Sequence, residues 1–191
     1  LNAGSRITYS QGFGVGNRKI ELIGEGYFEV KRNEEVPFLV KTNSLLVKVL
    51  GTKFNFRDYP DDAEAIVSLS EGKVALNNLL QKEKEAFLLP NERVVLNKKN
   101  GRMHVEYSTV SNALQWTNGY LFFDEELLPD VVKELERSYN VKIQIASDTL
   151  NTFRFYGNFV HREQNIQEVL EALSATRKIH YIIEGHNITL Y

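Results

Sequence analysis

Histidines and clustered carboxylates are the residues of this chain whose types could bind a metal or transfer protons. A zinc site needs three or four ligands at close spacing. Among the four histidines, only His180 and His186 could face each other across a hairpin, and no third ligand has suitable spacing with them. The acidic group at 58–64 lacks the periodic oxygen ligands of a calcium loop, and Pro60 followed by two aspartates indicates a turn. We therefore predict no metal site and a solvated loop at 58–64.

The sequence contains no complete motif for a bound cofactor or for a catalytic nucleophile. The sequence "GFGVG" at 12–16 resembles a dinucleotide loop, but that loop must open a helix, and the strand-like "RKIELIG" comes directly after it. There is no cysteine and no serine in a Gly-x-Ser-x-Gly elbow. A glycosidase-like carboxylate pair depends on separation in space and stays open as an alternative. We predict no cofactor and no enzymatic activity, which favours a binding or signalling protein.

The charge of the chain is nearly balanced. It has 23 basic and 25 acidic residues among 191, a formal charge of −2, so no overall field attracts nucleic acid or an anionic membrane. No stretch approaches the roughly 18 consecutive apolar residues of a bilayer crossing. Because the first residue is Leu1, we expect the native protein to extend upstream.

The first part of the chain alternates with a period of two. From Arg6 to Tyr107, short β-branched and aromatic runs are separated every 6 to 12 residues by Gly, Asn, Asp or Pro. This pattern is typical of an antiparallel sandwich or barrel. In "VLGTKFNFRDYPDD" at 49–62, Gly51 lets the chain bend between strands, while Phe54 and Phe56 anchor the strand after the bend. We interpret that segment as scaffold and not as a ligand loop.

After Tyr107, segments with the hydrophobic spacing of helices alternate with segments that have the spacing of strands. Ser108 or Thr109 is placed to cap a short helix that ends at "TNG", and the periodic "LLPDVVKELERSYN" predicts a helix from Leu128 to Asn140. Strands, a second helix and a final hairpin turned at 184–187 come next. The two strand–helix–strand segments form an internal repeat of about 30 residues. We predict a β domain at 1–107, a connection at 108–119 and an α+β domain at 120–191.

Several motifs, in this order, resemble the FecR family of bacterial anti-sigma regulators. They are "GEGYFEV", "PFLVKT", "VKVLGTKFN", "LSEGKV" and "LLPNE". The remainder, "LQWTNGYLFFDEELLPDVVKELERSYNVKI" and "FYGNFVHREQNIQEVLEAL", resembles the C-terminal domain common in Bacteroidetes members, which is similar to the short signalling domains of secretins and TonB-dependent receptors. One departure is Asn91, where the family usually has Gly, and this exchange keeps a residue that tolerates positive φ.

The resemblance implies a mainly β protein with an α+β domain, in which a jelly-roll-like antiparallel β-sandwich precedes a small βαβ-repeat domain. It further implies the periplasmic portion of an anti-sigma regulator anchored in the inner membrane. The implied partners are the signalling domain of a TonB-dependent outer-membrane transporter and, through a cytoplasmic segment outside this chain, an extracytoplasmic-function sigma factor. It implies neither a cofactor nor nucleic-acid binding.

The partner surface is predicted on "TFRFYGNF" at 152–159. Alternation directs its phenylalanines to one side and Arg154, Tyr156 and Asn158 to the other. We predict these three as partner-binding residues, since they lie opposite the side chains that pack inward. The alternative function is a carbohydrate-binding module, for which the tyrosines to test are Tyr9, Tyr27 and Tyr59.

Overall fold

The computed structural model describes residues 1–81, 84–108 and 110–191. It divides into two compact units, Leu1–Leu114 and Gln115–Tyr191, which we call the β-unit and the α/β-unit. The division lies within the predicted connection at 108–119. A short helix, α1 (Val110–Ala113), begins where one was predicted, while Thr109, one of its two predicted caps, lies outside the described residues. None of the helices described here has the length and apolarity that a bilayer crossing requires.

Strands build almost all of the β-unit, as the period of two predicts. Within the described residues, ten of them form one sheet in the order β10-β9-β6-β5-β2-β3-β4-β7-β8, with β1 added beside β2. They are β1 (Arg6–Tyr9), β2 (Arg18–Val30), β3 (Phe38–Lys41), β4 (Leu45–Val49), β5 (Thr52–Asp58), β6 (Glu64–Glu71), β7 (Val74–Asn78), β8 (Ala86–Leu88), β9 (Glu92–Asn97) and β10 (Met103–Tyr107).

The long strand β2 joins the two layers of the sandwich. Its first part pairs with β1 and β3, and its second part pairs with β5. If β2 were straight, its two ends would lie about 40 Å apart. Phe38 of β3 pairs with Arg18 at the start of β2, but the eight residues that lead from Val30 to Phe38 can span at most about 28 Å. The strand must therefore bend, and Gly24, at φ +100°, lies in its middle.

The fold class is confirmed, with one difference in the direction of the strands. β2 and β3 pair in parallel, whereas the predicted sandwich was antiparallel throughout. The bend of β2 is the physical reason, because it brings the start of that strand beside the chain that leaves its end. Arg18 Nη2 accordingly donates a hydrogen bond to the carbonyl oxygen of Lys31 at 3.0 Å.

Alternate side chains of the strands fill the core of the β-unit. Phe54 and Phe56 are fully buried and, with Val47 and Val49, belong to one apolar cluster, while Lys48 between the valines is exposed. Burial at 47–49 thus alternates with the period of two that the sequence shows. Burial of each large apolar side chain stabilises the fold by about 1.5–3 kcal/mol.

Gly51 occupies a crowded link between β4 and β5. A Cβ atom on this residue would lie 2.6 Å from both Cα and Cβ of Arg32. The neighbouring Thr52 is buried and donates its hydroxyl hydrogen bond to the carbonyl oxygen of Lys73 at 3.1 Å. These contacts support the interpretation of the segment as scaffold.

The α/β-unit contains the two predicted strand–helix–strand segments. Its elements are β11 (Tyr120–Leu127), α2 (Leu128–Tyr139), β12 (Lys142–Ile145), β13 (Arg154–Val160), α3 (Ile166–Ser174), β14 (Tyr181–Glu184) and β15 (Asn187–Leu190), with 3₁₀ turns at Gln115–Asn118 and Asp148–Thr152. Among the described residues, β11 pairs with β13, and a second sheet has the order β12-β15-β14. The final hairpin turns between Glu184 and Asn187, as predicted.

Local signals set the ends of the two longer helices. Pro129 lies in the first turn of α2, and Asn140 ends that helix with a left-handed φ of 53°. Asn165 caps α3 through a capping box with Glu168, in which each side chain accepts a hydrogen bond from the other residue's backbone N–H. Both helices pack apolar faces into the core of the α/β-unit, including the fully buried Leu135.

Candidate partner-binding site

The three predicted partner-binding residues lie on one exposed face of β13. Arg154, Tyr156 and Asn158 are exposed, and Tyr156 retains 59% of its accessible surface. Phe155 and Phe159, on the opposite face of this strand, are buried in the core of the α/β-unit, because successive side chains of a strand point to opposite faces. The predicted division of this strand into an inward and an outward face is therefore confirmed, while its role in binding stays a prediction.

Gly157 lets the two phenylalanines lie side by side beneath that face. The rings of Phe155 and Phe159 are nearly parallel, with an interplanar angle of 6° and centroids 6.1 Å apart. A Cβ atom at Gly157 would lie 2.5 Å from Phe155 Cε1 and 2.8 Å from Phe159 Cε2. The glycine thus leaves the space that these rings occupy, and the rings in turn support the outward face.

A β-bulge on β11 organises two of the three exposed residues. The register between β11 and β13 shifts between Phe123 and Glu126, and Glu125 within the bulge has a positive φ of 56°. Arg154 Nη1 donates a hydrogen bond to the Glu125 carbonyl oxygen at 2.5 Å, and the Tyr156 hydroxyl donates one to the Glu125 carboxylate. Glu125 therefore holds both side chains at the surface in a defined arrangement.

Sequence reasoning missed Glu125. The signal was present as three consecutive acidic residues, Asp124, Glu125 and Glu126, at the end of an aromatic strand. Acidic residues in tandem disfavour a regular buried strand, so they could have indicated an irregularity here. They could not have shown that Glu125 faces Arg154 and Tyr156, because the direction in which a bulge turns a side chain depends on the partner strand.

The contact with Glu125 makes a titration of Tyr156 informative. The hydrogen bond to Glu125 raises the pKa of Tyr156 above its usual value of 10.0, with burial as the next cause. We expect Glu125→Gln to lower the pKa of Tyr156, because the amide oxygen accepts a hydrogen bond without carrying charge. Carbon-13 NMR of the tyrosine ring over pH 8–12 would measure the pKa of Tyr156 in the wild type and in the variant. Asp124→Asn is the control, and an equal decrease there would contradict a direct bond to Glu125.

A groove begins beside Arg154 on the same unit. Its volume is about 540 Å³, and it is lined by Thr149, Leu150, Thr152, Phe153, Arg154 and Lys178. Arg154 and Lys178 are both exposed, and the Lys178 ammonium also lies 5.7 Å from the centre of the Phe153 ring. Two cations along a partly apolar groove favour a ligand that carries an anionic group.

The residues considered for metal binding are placed elsewhere. His186 lies in the final turn, while His180 pairs with Tyr191 and has its ring 5.8 Å from the tyrosine ring, so the two histidines do not face each other. In residues 1–81, 84–108 and 110–191, no cluster of three or more His, Asp or Glu side chains could hold an ion. The "GFGVG" segment forms turns between β1 and β2, and the expected strand follows it in place of the helix that a dinucleotide loop opens.

The solvated loop predicted at 58–64 needs one correction. Asp58 is buried, and its Oδ1 atom lies 2.6 Å from the Lys98 ammonium. Lys98 comes directly after β9, and its position beside this turn is a long-range contact that local turn signals do not encode. Asp61 and Glu64 are exposed, as predicted, and Asp62 accepts a hydrogen bond from Arg57 Nε at 2.8 Å.

The tyrosines considered for carbohydrate stacking differ in exposure. Tyr59 is buried and donates a hydrogen bond to the carbonyl oxygen of Ala3 at 2.7 Å, so its ring offers no face to a sugar. Tyr27 is half-buried and Tyr9 is exposed. The three rings therefore do not form the exposed aromatic platform that the carbohydrate-binding alternative requires.

Comparisons with known proteins agree with the motifs. The family model "FecR protein" matches residues 1–75, and the model "FecR, C-terminal" matches residues 120–190. No curated protein matches the chain significantly. Two crystal structures of a provisionally named anti-sigma factor from Parabacteroides distasonis are 33% identical to it and cover all of it. The chain covers 88% and 87% of theirs, with TM-scores of 0.89 and 0.88. The chain therefore belongs to the FecR family of anti-sigma factors, which are regulators and not enzymes.

Proposed function

We propose that this chain is the periplasmic portion of a membrane-anchored FecR regulator. In this proposal it receives a signal from a TonB-dependent outer-membrane transporter and controls an extracytoplasmic-function sigma factor. The observation that carries the proposal is the similarity over the full chain to a provisionally named anti-sigma factor, together with the two family models. The sigma factor would be held by a cytoplasmic segment outside this chain.

The α/β-unit is the proposed receiver of the signal. A transporter loaded with its ligand would present its periplasmic signalling domain to this unit, and the contact, or the proteolysis that it permits, would release the sigma factor. Small open sheets can bind partners through backbone hydrogen bonds at their edges and through side chains on their faces. The exposed face of Arg154, Tyr156 and Asn158 is the proposed side-chain contact, supported by the way in which Glu125 orients the first two residues.

A charge reversal on this face tests the proposal. We expect Arg154→Glu to weaken binding of a transporter signalling domain from the same genome by at least about tenfold, because the loss of one charge-assisted hydrogen bond is compounded by repulsion. Isothermal titration calorimetry with the whole chain would measure the dissociation constant. A sigma-dependent reporter gene should lose its response to the transporter ligand in the same variant.

Lys48→Glu is the matched control for that experiment. Lys48 is also an exposed cation within a strand, but it lies in the β-unit, so its reversal should leave the dissociation constant within about twofold. Circular dichroism must show that both variants remain folded, since Arg154 also bonds the bulge. If Arg154→Glu binds as tightly as the control, the proposed contact on β13 is wrong.

A further inference from the structure

Strand β14 presents unpaired backbone groups along its outer edge. His180 and Tyr191 exchange two backbone hydrogen bonds, of 2.8 and 3.0 Å, at the start of the hairpin. In an antiparallel pair, such bonded pairs alternate with non-bonded ones, so Ile182 and Glu184 direct their backbone groups to β15. The N–H and C=O groups of Tyr181 and Ile183 therefore point away from β15, where the described part of the chain places no further strand.

The side chains of this edge are apolar and exposed. Ile182 and Ile183 retain 50% and 40% of their accessible surface. Tyr181 packs against the core of the α/β-unit, so Ile183 lies on that same face of the sheet and Ile182 on the opposite one. A strand added beside β14 would cover both isoleucines and bond the outward backbone groups.

The other sheet edges of this unit carry features that discourage strand addition. β11 has the bulge with Asp124, Glu125 and Glu126 exposed, and bulges and charges both protect an edge. β13 has a glycine in its middle, which weakens a strand. The 3₁₀ turn Asp148–Thr152 comes soon after β12 and contacts it. β14 has no proline, glycine or bulge and no charged residue before Glu184.

The charged residues at the two ends of this edge indicate which charges a bound segment would carry. Lys178, three residues before β14, lines the groove that also contains Arg154, and Glu184 ends the strand. A complementary segment would carry a carboxylate at the end that reaches the groove and a basic residue near Glu184. Only another polypeptide offers regularly spaced donors and acceptors together with alternating side chains.

We propose that the outer edge of β14, Tyr181–Glu184, binds an extended segment of the transporter signalling domain by strand addition. That segment has apolar side chains at alternate positions and a carboxylate that enters the groove between Arg154 and Lys178. This inference rests on the proposed function, because it names the edge through which the same partner binds.

Ile183→Pro tests the edge directly. Proline removes the outward N–H of residue 183 and none of the bonds to β15, and it is tolerated where an edge N–H faces solvent. We expect calorimetry with the whole chain and a purified transporter signalling domain to show at least about tenfold weaker binding. Ile183→Val, which keeps the N–H, should bind like the wild type. Amide hydrogen exchange should show residues 181 and 183 protected only in the complex.

Lys178→Glu provides a second variant in case Ile183→Pro unfolds the hairpin. It should weaken binding at low salt and reduce the salt dependence of the dissociation constant. Undiminished binding by the folded Ile183→Pro and Lys178→Glu variants would overturn the inference and leave the proposed function intact. A wild-type chain that binds no signalling domain would overturn the proposed function and the inference with it. Self-association that Ile183→Pro abolishes would assign the edge to a second copy of the chain and also overturn it.

Discussion

Gly51→Val is expected to lower the free energy of unfolding of the β-unit by at least about 3 kcal/mol, the upper range for overpacking. A side chain here would have to displace backbone, because its Cβ would lie 2.6 Å from Arg32 Cα. The two segments are also bound together, since the Asn33 N–H donates to the Leu50 carbonyl oxygen at 2.7 Å. Moving Arg32 away would strain or break that bond as well.

The measurement for Gly51→Val needs a probe within the β-unit. The single tryptophan, Trp116, lies in the α/β-unit, so amide hydrogen exchange of β4 and β5 is the appropriate readout. The melting temperature should also fall by about 10 °C. Gly12→Val is the matched control, because no heavy atom lies within 4 Å of its added Cβ and its φ is not positive. Equal stability of the two variants would show that the link between β4 and β5 is not sterically constrained.

Gly157→Val is expected to destabilise the α/β-unit by about 2–3 kcal/mol. The added side chain would collide with the buried rings of Phe155 and Phe159, and both rings would have to leave their nearly parallel arrangement. Their displacement would also disturb Arg154 and Tyr156 on the same strand. Denaturant unfolding monitored by Trp116 fluorescence would measure the loss, and partner binding should weaken in parallel.

A double variant separates this clash from a general intolerance of side chains on β13. Phe155→Leu removes the ring atom that lies closest to the added Cβ. The combined variant Phe155→Leu with Gly157→Val should therefore lose less stability than the sum of the two single variants, since neighbouring residues that share one space are not additive. Strict additivity would mean that the ring contact is not the cause.

Periodicity and caps could be predicted correctly because they are encoded over a few neighbouring residues. The alternation at Val47, Lys48 and Val49 predicts which side chains are buried, and Pro129 and Asn140 mark the two ends of α2. Asn91 has a φ of 66°, which agrees with its place where the family usually has glycine. Each of these signals depends on the backbone preferences of a single residue or on one repeating pattern.

Contacts between distant positions could not be predicted in the same way. Asp58 was expected in solvent, but Lys98, forty residues later, pairs with it in a buried position. The role of Glu125 depends on the register between β11 and β13. That register sets which side chains face each other, and a shift of one residue reverses every face.

The amino-acid sequence by itself determined the order of strands and helices, the division into a β-rich and a mixed part, and the resemblance to anti-sigma regulators, since all three are properties of local pattern. Only the tertiary structure decided the parallel pairing of β2 with β3, the bulge that orients Arg154 and Tyr156, and the open edge at β14. Those features depend on which strands pair with each other across long stretches of the chain, and that pairing is set by the packing of the whole unit.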